Sequence, residues 1–141
     1  MKAGKVIGVR NPHSVRPFQH VLEPLAVYLE IARRQYEDKR YAGFYNVGPD
    51  DCDCLTTGEL TDLFCQTWGP EAKWENRAEA NAPHEAGYLR LDCGKIKEVF
   101  GWQPRWHMKE CMEMVCRFSK VWLAGGDIPA EMDDEISEFL G

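Results

Sequence analysis

Excess positive charge is missing from this chain: 17 Lys and Arg stand against 23 Asp and Glu, a formal net charge of −6. Binding a nucleic-acid polymer needs a dominant basic face, so that class is set aside and any basic segment is local. No apolar stretch approaches the roughly 20 residues that span a bilayer, so no membrane partner is expected. The start, Met1-Lys2-Ala3-Gly4-Lys5, has no apolar run behind its lysines, so no secretory leader is read there. H-E-x-x-H, a Walker loop and a Ser-His-Asp order are absent, and so is G-x-G-x-x-G. Metalloprotease, P-loop and dinucleotide-binding readings therefore lack their fingerprints. There is no internal repeat and no low-complexity linker.

What is present fits one ordinary domain. The 141 residues are 44% hydrophobic and 28% charged, and a chain of this length buries about 68% of its unfolded surface. Six cysteines without a leader read as reduced thiols in a cytoplasm. Cys52 and Cys54 form C-x-C, whereas Cys65, Cys93, Cys111 and Cys116 are scattered. His107, Cys111 and Cys116 can share a helix face, which raises zinc. Structural zinc sites carry paired C-x₂₋₄-C spacing with a matching second pair, and no second pair exists here. Cysteines beside Met112, Met114 and Val115 read as small core residues, and no metal is expected.

Apolar spacing divides the chain into alternating elements. Val6–Val9 reads as a strand, His20 to about Gln35 as a helix with Pro24 in its first turn, and Phe44–Val47 as a strand stopped by Gly48-Pro49. Thr56 and Glu59 form a capping box for a helix to about Trp68, ended by Gly69-Pro70. Lys73–Glu75 reads as a short strand, residues 77–87 as a loop, and Tyr88–Leu91 as extended. Asp92 caps a short helix to Phe100, closed by Gly101. His107 to about Leu123 is a long amphipathic helix stopped by Gly125-Gly126. Residues 127–141 form an acidic tail that is either a terminal helix or frayed. The fold class is α/β with few, short strands. So thin a sheet predicts self-association or a missing neighbour.

One segment stands out chemically. "RNPHSVRPFQH" (10–20) holds Arg10 and Arg16 on a loop stiffened by Pro12 and Pro17. Two guanidiniums on a stiff loop suit bidentate contact with phosphate oxygens. The same residues also suit salt bridges to an acidic body, and spacing does not choose between the two. His84-Glu85 lies in a loop where an imidazole can donate to phosphate or a sugar hydroxyl. A solvated loop histidine is the simpler reading there, as it is for His13 and His20. On residues alone the chain is an anion-binding α/β piece with no catalytic constellation.

Three stretches add a resemblance. "VRNPHSVRPFQHVLEPL" (9–25), "YNVGP" (45–49) and "PHEAGYLRLDCGKIKEVFGWQPRW" (83–106) resemble, in order, the C-terminal portion of the CDP-glucose 4,6-dehydratases. These are lyases of the extended short-chain dehydrogenase/reductase family. The likeness covers most of residues 5 to 124 and leaves the tail after Gly126 outside. R-P-[FW]-Q-H-V-L-E-P is specific to the dehydratases. Asp92, Lys95, Gly101, Trp102 and Pro104 match a D-x-x-K…G-W-x-P pattern shared by many sugar-nucleotide enzymes. Phe18 replaces the usual tryptophan.

The resemblance implies a division of labour. In such enzymes a Rossmann domain holds NAD, and a smaller C-terminal part holds the sugar nucleotide. Residues 1–126 would be that small mixed α/β substrate-binding part, with the Rossmann domain absent and 127–141 the tail. Arg16 would contact the nucleotide phosphates, and Val9, Arg10 and Asn11 would lie by the base and ribose. Gln19 belongs to the same motif, and His84 and Glu85 would add phosphate or ribose contacts. The implied ligand is CDP-glucose or CDP, and the implied partner is a Rossmann domain in cis or in trans. The family's reaction converts CDP-glucose to its 4-keto-6-deoxy product with NAD and a Y-x-x-x-K pair. No tyrosine here is followed four residues later by lysine. The chain alone is therefore expected to be inactive and to bind no NAD, whether as a truncation, an excised domain or half of a split enzyme. Two rivals stay open: a stand-alone sugar-nucleotide-binding or scaffold protein, and a small metal-binding regulator using Cys52, Cys54, His107 and Cys111.

Overall fold

Five α-helices and a two-stranded parallel sheet make up the described part of the computed structural model, residues 5–79 and 87–141. Strand β1 (Ile7–Val9) pairs with β2 (Trp74–Asn76) in the register Ile7 to Trp74 and Val9 to Asn76. Ile7 N donates to Lys73 O and Arg77 N to Val9 O, which extends the pairing past both strand ends. Between the strands run α1 (Leu22–Glu37), a 3₁₀ turn at Lys39–Tyr41, a second at Asp51–Asp53, and α2 (Thr57–Trp68). After β2 come α3 (Gly94–Phe100), α4 (Met108–Leu123) and α5 (Ile128–Leu140).

Each helix boundary has a local cause. Thr56 and Glu59 form the expected capping box: Thr56 Oγ1 accepts from Glu59 N at 3.1 Å, and Glu59 Oε2 accepts from Thr56 N at 2.8 Å. Pro24 falls in the first turn of α1, where no intrahelical N–H is required of it. At α3, Cys93 takes the N-cap position, while Asp92 Oδ1 accepts from Gly94 N at 2.9 Å. The helix therefore starts two residues after the aspartate. Gly101 closes it in the left-handed conformation at φ 64°. The tail is helical: Asp127 caps α5 through Ala130 N, with Pro129 in the first turn.

The expected strand at Phe44–Val47 is not formed. Among the described residues that segment has no ladder partner; Val47 O accepts from the Gln19 side chain, Phe44 O from Lys95 Nζ, and Tyr45 Oη donates to Tyr41 O. Tyr45 and Val47 instead pack against a core of Val27, Cys93 and Ile96, together with Ile31, Phe100 and Trp102. A second apolar layer forms where α4 packs on α2 and α5. It buries Met108, Cys111, Met112, Met114 and Cys116 of α4 and Phe139 of α5. Among the described residues no helix is long and apolar enough to cross a membrane.

Candidate functional site

The arginine-bearing loop leaves β1 at Val9, which is buried, and turns at Asn11–Ser14. Asn11 O accepts from Ser14 N at 3.4 Å and from Ser14 Oγ at 3.0 Å. The start of α2 then holds the loop from below. Gly58 N donates to Pro12 O at 2.8 Å, and Thr57 N donates to Ser14 O at 2.9 Å. With Glu59 N on Thr56 Oγ1 and Thr56 N on Glu59 Oε2, all four N–H groups a helix start leaves unsatisfied are used. The loop main chain thus takes the place an anion would take at this helix end. Glycine at 58 permits this close approach, because a Cβ there would lie 3.0 Å from Pro12 O, which would have to give by a few tenths of an ångström.

The middle of the loop is clamped on two sides. Val15 forms an antiparallel bridge with Thr56 and a parallel one with Tyr88. Val15 N donates to Gly87 O at 2.9 Å, and Leu89 N donates to Val15 O at 3.1 Å. Main-chain pairing therefore joins the loop to the segment that begins at Gly87. His84 and Glu85 themselves lie outside the described residues. Proline at 12 and 17 is thus only part of the stiffening; main-chain pairing supplies the rest, and no sequence motif announced it.

The candidate residues differ in how they are presented. Arg10 is exposed at the bend after β1, and Asn11 is half-buried. Arg16 is half-buried and directs Nη1 to Val15 O at 2.8 Å, while its own N–H donates to Leu55 O. Gln19 donates Nε2 to Val47 O at 3.1 Å, and its Oε1 is buried without a partner among the described residues. Val9 offers its carbonyl to Arg77 N, so its contribution is to hold the strand end. Arg77 escaped the sequence reading. It crosses over Gly8, where an added Cβ would meet its Cδ at 2.5 Å, and it pairs with Glu75 at 2.6 Å. Its signal was the strand pairing, which spacing along one segment does not carry. His20 is not the solvated loop histidine expected from the sequence. It is buried, with Nε2 2.8 Å from Glu135 and its ring edge-on to Trp106.

A second constellation gathers at the start of α4. Asp53 is 7% exposed; its Oδ1 accepts from Met108 N at 2.9 Å and its Oδ2 lies 2.7 Å from His107 Nδ1. Cys52 Sγ donates to the same Oδ2 at 3.6 Å. The hydrogen bond to Asp53 raises the His107 pKa, and burial followed by the Asp53 charge raises that of Cys52. Cys54 turns its thiol to Asp50 O, and Cys111 is buried with Sγ toward Trp106 O. The four-residue set of Cys52, Cys54, His107 and Cys111 is therefore not brought together. Cys111 and Cys116 are core residues, as their neighbours imply.

Compared with known proteins, the chain is 41% identical over 133 residues to CDP-glucose 4,6-dehydratase of Salmonella typhimurium. The resemblance to CDP-glucose 4,6-dehydratase extends over 94% of the chain. The chain spans 37% of that relative's length, an extent consistent with a C-terminal portion of the dehydratase. No family model matches. The alignment reaches beyond the three motif stretches, since 133 residues must take in most of the region after Gly126 or before Lys5.

Proposed function

We propose that this chain is the CDP-sugar-binding portion of an NAD-dependent CDP-glucose 4,6-dehydratase. The observation that carries the reading is the 41% identity to a dehydratase over nearly the whole chain. The loop geometry supports it. A segment clamped at Pro12, Ser14, Val15 and Arg16 loses little freedom on binding, so its guanidiniums meet a diphosphate at low entropic cost. In this reading Arg16 faces the phosphates, Arg10, Asn11 and the Val9 main chain flank the nucleoside, and Gln19 fixes the floor of the loop. His84 and Glu85, which lie outside the described residues, would add phosphate or ribose contacts.

NAD would be held elsewhere. β1 runs into the Asn11–Ser14 turn, and no helix opens before Leu22, so the strand–turn–helix cradle that receives a dinucleotide is not formed on it. The segment after β1 does not fit that cofactor, and we assign none of the described residues to it. A Rossmann domain, in cis or in trans, would supply it and the Y-x-x-x-K pair, within a cytoplasmic enzyme. The chain alone is then catalytically silent.

Calorimetric titration of the chain with CDP-glucose, CDP, UDP and NAD tests this. The expected result is heat with CDP-glucose and CDP, none with NAD, and loss of at least about tenfold in affinity in Arg16→Ala, the scale of one charge-assisted hydrogen-bond pair. Equal binding of NAD, or turnover of CDP-glucose by the chain alone, would overturn the reading.

A further inference from the structure

We propose that Cys52, Asp53 and His107 form a binding site for a zinc-class divalent cation, bridging the 3₁₀ turn at Asp51–Asp53 to the N-terminus of α4. One ligand atom from each of the three lies within 4.8 Å of the others. Around a tetrahedral ion with bonds of about 2.0–2.3 Å, ligand atoms sit roughly 3.3–3.8 Å apart, so only side-chain adjustment separates this arrangement from coordination. The donor set is one thiolate, one carboxylate and one imidazole. A borderline-soft ion accepts all three, whereas calcium and magnesium take oxygen donors.

Several features go beyond chance proximity. The central carboxylate is already oriented: Asp53 is buried, and Oδ1 is fixed by Met108 N at 2.9 Å, leaving Oδ2 toward the other two groups. Such outer contacts fix ligand geometry in metal sites generally. His107 and Cys52 are exposed, so an ion has an entry path. Beside Cys52 opens a groove of about 640 Å³ whose walls include Asp50, Asp51 and Asp92. Exposure of His107 and Cys52 leaves a fourth position for water, as in open three-ligand zinc sites. Charge also balances. A 2+ ion against one thiolate, one carboxylate and a neutral imidazole leaves the site uncharged, with the Cys52 proton released to solvent. The ion would replace the proton now shared between Asp53 and His107, so one site serves either as a capping hydrogen bond or as a metal clip.

The test uses the intact chain, stripped with chelator and titrated with Co²⁺ and then Zn²⁺ alone. We expect one equivalent of cobalt with a thiolate-to-cobalt charge-transfer band and tetrahedral visible bands, displaced by zinc. Cys52→Ser should abolish the charge-transfer band. His107→Gln should weaken zinc binding by at least the roughly 10–100-fold that outer-shell partners cost. Both side chains are exposed, so each variant should fold, which circular dichroism would check. Cys54→Ser should keep the band. Zinc should also raise the melting temperature of the wild type and leave that of Cys52→Ser unmoved. No saturable cobalt spectrum, or a band that follows Cys54 in place of Cys52, would overturn the proposal.

Discussion

Glu23 has 1% of its surface exposed, and its Oε1 accepts two main-chain N–H groups, from Arg105 and Trp106, each at 2.8 Å. The first turn of α1 is thereby tied to the chain entering α4. Removing the carboxylate orphans two donors at once. An unsatisfied buried group costs about 1–3 kcal/mol, so Glu23→Ala should lose roughly 2–4 kcal/mol in urea unfolding. Glu23→Gln keeps a carbonyl acceptor and should lose less than half as much. Equal losses for the two variants would show that packing, not the shared acceptor, sets the effect. None of this was legible in the sequence, where Glu23 reads as one acid within a helical stretch and its partners are more than 80 residues away. Asp53 was missed for the same reason. Its role depends on Met108 and His107, and the C-D-C context drew attention to the cysteines on either side.

Elements declared themselves where their cause is local. The Thr56–Glu59 capping box, the glycines after α2 and α3, and the apolar face of α4 can all be read within a few residues of each position. Phe44–Val47 has the residues of a strand but not the structure, because a strand also needs a partner, and here side chains of Gln19 and Lys95 take the carbonyls of Val47 and Phe44. Whether residues 127–141 form a helix was similarly undecided until α4 supplied a surface. Arg117 binds Glu131 at 2.6 Å and Glu138 at 2.7 Å, Arg105 donates to Phe139 O at 3.0 Å, and Phe139 meets Trp106 edge-on. The buried His20–Glu135 contact closes this docking and gives it a pH signature. Burial lowers the His20 pKa below 6.5, so its contribution is intact above that value and is lost as pH falls toward the folded value. Burial raises the Glu135 pKa above 4.5 against the opposing pull of Arg117, with Glu131 and Glu138 adding to the rise. Its contribution is intact below 4.5 and is lost as pH rises through the folded value. Unfolding free energy measured from pH 4 to pH 8 should therefore lose its acid-side fall in His20→Gln and its opposite slope in Glu135→Gln. Unchanged profiles in both variants would remove the pair from the docking of α5.

At the scale of the molecule, the described residues set five helices on a sheet of two three-residue strands, so apolar helix surface exceeds what the sheet can cover. The surplus is concentrated on α1. Val21, Leu25, Tyr28 and Leu29 are spaced to form one stripe and are 60%, 47%, 60% and 74% exposed. From Val21 the stripe continues into a cavity of about 300 Å³ lined by Val115, Phe118, Met132 and Ile136. Scattered exposed apolar residues are ordinary on a protein surface, but a contiguous patch favours association because burying it recovers about 25 cal/mol per Å². The chain should therefore self-associate as its concentration rises, with a sedimentation coefficient that climbs across a dilution series. Leu29→Glu adds charge at the most exposed point of the stripe, where substitution changes folding stability by no more than about 0.5 kcal/mol. It should hold the chain monomeric over the same range without moving its urea midpoint. If wild type stays monomeric throughout, the stripe is solvated surface, and the thin sheet needs no neighbour to stand.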